Sequence, residues 1–193
     1  MSDRENNCRA FLSRQRAQAL QPFIQATDTV LFYAGQGCSN VPELKAARKI
    51  LFDPIVAVPP GVEVVRNLSE FSGIDVVICD HVLEYLLDPR ERLLQFKDVL
   101  KPGGRLIAVA LYDEAFRRPH LKKPAEHFYS WNVQTLGNLL VDCGYEFHSG
   151  TVKHYPTEEF VIRWAEKVGL RFAVVLAKFF APAFEVLVVA KRP

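Results

Sequence analysis

The sequence predicts an α/β fold, a mostly parallel sheet with helices on both faces. Three observations predict it. Short apolar runs alternate with segments of helical apolar spacing along the 193 residues. One run, Ile74 to Cys79 (IDVVIC), is apolar almost throughout, as suits a strand covered on both faces. The first run, Thr29 to Ala34, ends in Gly35-Gln36-Gly37, a glycine turn at a strand's carboxyl end, where open α/β sheets bind ligands.

Each element has a local reason. Over residues 7–25, Phe11, Ala19 or Leu20 and Phe23 recur at helical spacing among Arg and Gln. After the strand Thr29 to Ala34, Val41 to Lys49 predicts two helical turns, with Pro42 tolerated in the first. Ile50 to Asp53, Val62 to Arg66 and Ile74 to Cys79 are the next strands. Asp88 caps the following helix and Pro89 takes its first position, with Leu93, Phe96 and Leu100 on one face. Lys101-Pro102-Gly103-Gly104 stops it, and Arg105 to Ala110 is a fifth strand. Asn132 to Cys143 is amphipathic, and Gly144 ends it. Tyr145 to Lys153 is a strand. Thr157 caps a helix that breaks near Gly169 and continues to Phe180, and Phe184 to Ala190 is the closing strand. Only PIVAVPPG separates Asp53 from Val62, and NLSEFSG is as short. A parallel crossover normally takes about a dozen residues, so the sheet is expected to be thin over 54–73.

There is no internal repeat and no low-complexity linker, so a single domain is expected. Its parts are an N-terminal helix (1–27), a core that would hold a cofactor (28–110) and a substrate-side half with lid segments and closing strands (111–193). The composition is 49% hydrophobic and 24% charged with a net charge of +2, and Lys and Arg are scattered, so no nucleic-acid partner is expected. The one cluster, Arg117, Arg118, Lys122 and Lys123, reads as a solvated loop or as the rim of a site for an anionic substrate. Cys8, Cys38, Cys79 and Cys143 lie far apart without metal-ligand spacing, so no metal is expected and the thiols suit a reduced, cytoplasmic protein. MSDRENNCRAFLSRQ is polar and reads as no signal peptide. Phe172 to Ala190 is the most apolar tract, but Lys178, Pro182 and Glu185 interrupt it. It reads as buried helix plus strand rather than a membrane span, and no membrane partner is expected.

Gly35 and Gly37 let a ligand approach the backbone, and Asp53, eighteen positions after Gly35, can accept hydrogen bonds from both hydroxyls of a ribose. Alone this pair reads equally as an adenosine site or as a tight turn and a capped strand. Its neighbours add to it. Residues 75–110 read DVVICDHVLEYLLDPRERLLQFKDVLKPGGRLIAVA. His81-Val82-Leu83-Glu84-Tyr85, Asp88-Pro89 and Leu100-Lys101-Pro102-Gly103-Gly104 closely resemble the class I S-adenosylmethionine-dependent methyltransferases, in particular the methyltransferase type 11 group. HFYSWNVQTLGNLLVDCGYEF, His127 to Phe147, resembles the late helix and strand of that family. The likeness covers roughly 28–150 and the last strand.

The resemblance implies a Rossmann-like, doubly wound sheet of seven strands with an antiparallel last strand. It implies S-adenosyl-L-methionine as cofactor and methyl transfer to a small molecule. Gly35 and Gly37 would face its methionine part and ribose, and Asp53 its ribose hydroxyls. Asn67 and Leu68 would meet the adenine, and Asp80 and His81 would floor the pocket beside the methyl. The chain departs from the family in three places. Tyr33 stands where an acid is usual, Ser39 replaces a glycine, and Asn67 replaces an acid at the adenine. Binding is expected to survive with reduced affinity.

Methyl transfer needs the acceptor aligned behind the methyl at about 3 Å with water excluded. A hydroxyl or amine acceptor can also need a base. His81 is the candidate for that catalytic role by position, or else a structural histidine, and Asp80 would orient it or meet the substrate. His120, His127, Tyr129 and Trp131 are substrate-side candidates or ordinary loop residues. Phe116, Phe128, Tyr129, Trp131 and Trp164 suggest an aromatic lid, though the helical spacing of Trp164 suits core packing. Glu84 suits a capping or pairing role. Two other functions share these features. A nicotinamide-dinucleotide oxidoreductase would use the glycine loop and Asp53, but wants a glycine where Asn40 stands. A binding protein of methyltransferase descent without catalysis would account for Tyr33 and Ser39.

Overall fold

The computed structural model describes residues 3–34, 40–54, 58–112, 127–156, 158–180 and 182–193. Seven strands form one sheet in the order β3-β2-β1-β4-β5-β7-β6. They are β1 (Thr29–Ala34), β2 (Arg48–Phe52), β3 (Glu63–Val65), β4 (Ile74–Asp80), β5 (Leu100–Leu111), β6 (Glu146–Pro156) and β7 (Pro182–Lys191). The first five run parallel, while β7 is antiparallel to both β5 and β6. The expected seven-stranded, mostly parallel sheet with a reversed last strand is therefore what the chain forms. Five helices surround it among the described residues: α1 (Asp3–Leu20), α2 (Pro89–Val99), α3 (Val133–Asp142), α4 (Glu158–Val168) and α5 (Leu170–Phe180).

The pleat divides the core in two. Leu31, Val77, Cys79, Leu106 and Ala108 face α2 and α3, against Leu93, Phe96, Leu136 and Leu140. Val30, Phe32, Val76, Ile78, Ile107 and Val109 face Ala17 and Leu20 of α1, with Val41 and Leu44. Every strand residue named here is at most 5% exposed, so both faces are covered, as the unbroken apolar run of β4 requires.

Helix α2 forms where its caps require. Asp88 accepts a hydrogen bond from the Glu91 N–H at 2.9 Å, and Pro89 occupies the first turn. Asp88→Ala is expected to cost about 1 kcal/mol. In a chain of this size that lowers Tm by roughly 2–4 °C in a thermal melt. Asn132 and Thr135 close a reciprocal capping box at the start of α3. At the other end of α2, Leu100 pairs with Ile74 and Arg105 with Val76, so the four residues between bulge out of the β4–β5 ladder. Gly104 is required there, because a Cβ would lie 2.8 Å from the Lys101 carbonyl oxygen.

Two local expectations are corrected. Val41 to Lys49 is not helical: residues 40–44 are turns, and β2 has begun by Arg48. A two-turn helix carrying a proline is marginal in water. Here the Ala47 and Arg48 N–H groups donate to the Asp28 carbonyl, and the Gln21 side chain bonds Lys45. Arg48 pairs with Thr29 in the sheet. Tertiary bonding holds the segment as a turn that runs into β2. The second correction concerns Phe172 to Ala190. β7 is buried as expected, but α5 buries only Ala173, Val174 and Ala177 and leaves Phe172, Phe179 and Phe180 exposed. The thin region is as expected: β2 joins β3 with no described helix between them, and one short 3-10 turn (Leu68–Glu70) leads to β4.

Candidate active site

The carboxyl ends of β1, β2 and β4 lie side by side in the sheet, with β5 next to β4. Gly35, Gly37 and Ser39 fall outside the described residues, as do His120 and Phe116. The chain resumes at Asn40, whose buried amide donates to Asp80 Oδ2 at 3.2 Å. The loop after β1 is thus tied to the end of β4.

Asp53 follows β2 in a left-handed backbone conformation, φ 44°. Its side chain is 53% exposed, and the Arg66 guanidinium is 3.8 Å away, beyond hydrogen-bond distance. The carboxylate therefore stands ready to accept from a ligand's hydroxyls. Asn67 lies nearby in sequence, but its carboxamide is engaged in its own turn. Its Oδ1 accepts from the Ser69 N–H at 3.1 Å and hydroxyl at 2.9 Å, and its Nδ2 donates to Glu70 at 3.1 Å. Leu68 is buried at the start of that turn. An exposed carboxylate acceptor, with the buried Leu68 at the start of a polar turn, is compatible with a nucleoside.

The end of β1 is different. Tyr33 is half-buried, its ring centroid 5.1 Å from that of Phe52 and 5.6 Å from that of Phe96. The Arg92 guanidinium lies over Tyr33 at 5.6 Å and Phe52 at 5.1 Å, a cation–π arrangement. Burial raises the Tyr33 pKa, with Arg92 opposing, so the hydroxyl stays neutral. A neutral Tyr33 with a cation over its ring is the arrangement at this position.

At the end of β4 the chain turns at His81, φ 50°, while its N–H still bonds the Val109 carbonyl at 2.9 Å. Three carboxylates surround the ring. Nδ1 is 3.3 Å from Glu84 Oε1; Nε2 is 3.1 Å from Glu185 Oε1 and 3.8 Å from Asp80 Oδ1. The Nε2 contact is close but poorly aligned, an ion pair rather than a good hydrogen bond. Burial disfavours the charged ring, but Glu185, Glu84 and Asp80 outweigh it and raise the His81 pKa to about 10. His81 is therefore an imidazolium at neutral pH, unable to accept a proton. Glu185 is buried, yet His81 and Arg16 hold its pKa below the usual carboxylate value; Arg16 donates to it at 2.8 Å. Burial raises that of Asp80, against the pull of His81 and Arg16.

Asp80, Asn40 and Glu185 line a pocket open to solvent, with Arg16, Lys153 and Tyr155 completing its polar wall. Most of the space, about 280 Å³, is open to solvent, so these residues line a shallow recess rather than an enclosed cavity. Burial, chiefly, pushes the Tyr155 hydroxyl up to about 12. The sequence reading missed Glu185, Arg16 and Tyr155 as site residues. Glu185 had a signal, as an acid in the middle of the apolar run FEVLVVA; the other two had none.

The described substrate-side candidates, His127, Tyr129 and Trp131, belong to a strap over the turn that carries Glu84. The N–H groups of Phe128 and Tyr129 donate to the Glu84 carbonyl at 2.7 and 3.3 Å. His127 Nε2 is 2.9 Å from the Tyr85 hydroxyl, and the Tyr129 hydroxyl donates to the Leu87 carbonyl at 3.0 Å. Trp131 stacks on Tyr129 and is buried in the core with α3. Trp164 stacks on Phe160, packed against the cluster under α5, in the core role its spacing suggested.

The comparisons agree with this architecture. A family model described as a methyltransferase domain matches residues 34–172. Among solved structures, a Bacillus halodurans protein described as a methyltransferase has a TM-score of 0.64 at 15% identity, over 93% of this chain and 98% of that one. An S-adenosylmethionine-dependent methyltransferase from Mesorhizobium loti has a TM-score of 0.56 at 16% identity, over 92% and 96%. A geranyl diphosphate methyltransferase in complex with S-adenosylmethionine has a TM-score of 0.61 at 16% identity, over 93% and 85%. At these identities the structures attest the fold alone. No curated protein sequence matches the chain. No described helix is long and apolar enough to cross a membrane. The family model spans most of the sequence and contains the LKPGG bulge, the His81 turn and the Asp53 position. With the reversed seventh strand, they make this chain a member of the class I methyltransferases, the S-adenosylmethionine-dependent methyltransferase family.

Proposed function

We propose that the chain transfers a methyl group from S-adenosylmethionine to a small molecule held in the Asp80–Glu185 pocket. The observation that carries this reading is that pocket's position. It opens at the carboxyl ends of β4 and β5, in the same row of strand ends as Asp53. In this reading Asp53 holds the ribose, the backbone of Leu68 meets the adenine, and the loop of Gly35 and Gly37 carries the methionine part. The cofactor, when bound, supplies a methyl on a sulfonium, open to direct displacement. Asp80 and His81 form the pocket floor. His81 acts as a positioning residue: its charge holds Asp80, Glu84 and Glu185 together. The proton-accepting role suggested for His81 by its position passes to Asp80, a buried carboxylate facing the pocket with a raised pKa. His127, Tyr129 and Trp131 contribute by fixing the strap against the Glu84 turn rather than by chemistry.

Transfer of label from methyl-tritiated S-adenosylmethionine into a fractionated small-molecule extract tests the reading. Label is expected in at least one fraction. With that acceptor, Asp80→Asn is expected to lower kcat about a hundredfold or more. Unchanged kcat would remove Asp80 from the proton-accepting role.

One observation favours a second reading, a binding protein without catalysis. The Arg92 cation over Tyr33 stands where an acid would attract the cofactor's ammonium group. Under that reading S-adenosylhomocysteine binds, but no label moves into any fraction.

A further inference from the structure

We propose that the outward face of α5 docks the protein on an anionic membrane surface. The helix is packed with its small residues inward. Ala173, Val174 and Ala177 are buried against Cys8 and Val161, while Phe172, Val175, Phe179 and Phe180 are 56, 49, 77 and 75% exposed. Phe172, Val175 and Phe179 stand at i, i+3 and i+7, so they share one side of the helix, opposite the buried side. Three large apolar side chains on one side of an eleven-residue helix, with Phe180 exposed at its end, are a surface of the kind that marks an interaction site.

Charge decides among occupants. Arg171 and Lys178 are both exposed and lie together along the Val175 edge of that side, and no acid occurs from Leu170 to Ala183. A two-fold contact with a second copy brings the patch onto itself, and an antiparallel pairing of α5 would set Arg171 against Lys178 of the other copy. An anionic lipid surface meets the same cations favourably and takes the phenylalanines into its interfacial region.

Docking there places the pocket near the surface. α5 leads into β7, and Glu185 lies five residues after Phe180. Because β7 runs antiparallel to β5, Glu185 pairs with Leu111 at the ligand end of the sheet. The proposal departs from the expectation of no membrane partner, which rested on the lack of a span. A peripheral contact needs none.

Co-sedimentation of the full chain with two kinds of vesicle tests it: phosphatidylcholine alone, and phosphatidylcholine mixed equally with phosphatidylglycerol. Binding to the mixed vesicles is expected, weakening as salt rises. Phe172→Ser with Phe179→Ser, and separately Arg171→Gln with Lys178→Gln, are each expected to weaken it about tenfold or more. All four positions are exposed, so circular dichroism and Tm should remain those of the wild type. Full binding by both variants would overturn the proposal. So would a chain that ignores both vesicles yet dimerises in sedimentation velocity through this face, or that ignores both and stays monomeric, which would leave a protein partner as the occupant.

Discussion

Asp53→Ala is expected to weaken S-adenosylhomocysteine binding about a hundredfold in calorimetry, because a carboxylate accepting from two ribose hydroxyls contributes roughly 1.5–3 kcal/mol per bond. The geometry favours so large an effect. The side chain is 53% exposed and the Arg66 charge is 3.8 Å away, so the free protein does not satisfy it strongly. Alanine at φ 44° also strains the backbone. Asp53→Asn removes that complication, since asparagine adopts the left-handed conformation readily and keeps one acceptor oxygen. Its loss is expected to be intermediate, about tenfold. Equal affinity in wild type and both variants would take the ribose away from Asp53.

His81→Asn is expected to cost about 3 kcal/mol of stability near pH 6, where removal of the cation leaves Asp80, Glu84 and Glu185 buried together. Asparagine is again the right substitute, because His81 has φ 50°. The sign of the pH dependence follows from the direction of the shift. The folded-state pKa of His81, about 10, lies above its ordinary value of 6.5. Its contribution is therefore complete below about 6.5 and declines as pH rises towards about 10. Glu185, shifted down from 4.5, contributes above that value and loses its contribution as pH falls through its lower folded pKa. Wild-type stability should thus slope downward between pH 6.5 and about 10, and His81→Asn should lack most of that slope. Urea melts across this range measure it. Parallel curves for the two proteins would mean that His81 is neutral in the fold and free to act as a base after all.

Local signals in the sequence carried the strands well and the charges poorly. β1, β4 and α2 follow from short-range chemistry: an apolar run, a second apolar run, and an Asp-Pro cap. The Val41–Lys49 segment failed because its partners, Asp28, Gln21 and Thr29, lie elsewhere in the chain and outweigh a weak helical preference. The position of Asp80 and His81 was legible from the strand that ends there. The protonation state of His81 was not, because it depends on Glu185, 104 residues away, itself held by Arg16 from 169 residues away. In α5 the apolar content was visible, but its direction was not. Phenylalanines usually point inward, and only the burial of Ala173, Val174 and Ala177 in the cluster shared with Val161 of α4 turns them out.

Titration of the wild-type chain with S-adenosylhomocysteine, and in parallel with NAD, tests the central claim most directly. One saturable site for S-adenosylhomocysteine, with Kd at or below about 100 µM (about −5.5 kcal/mol), and no heat with NAD is the expected result. Saturable binding of NAD, or no binding of S-adenosylhomocysteine at millimolar concentration, would contradict it.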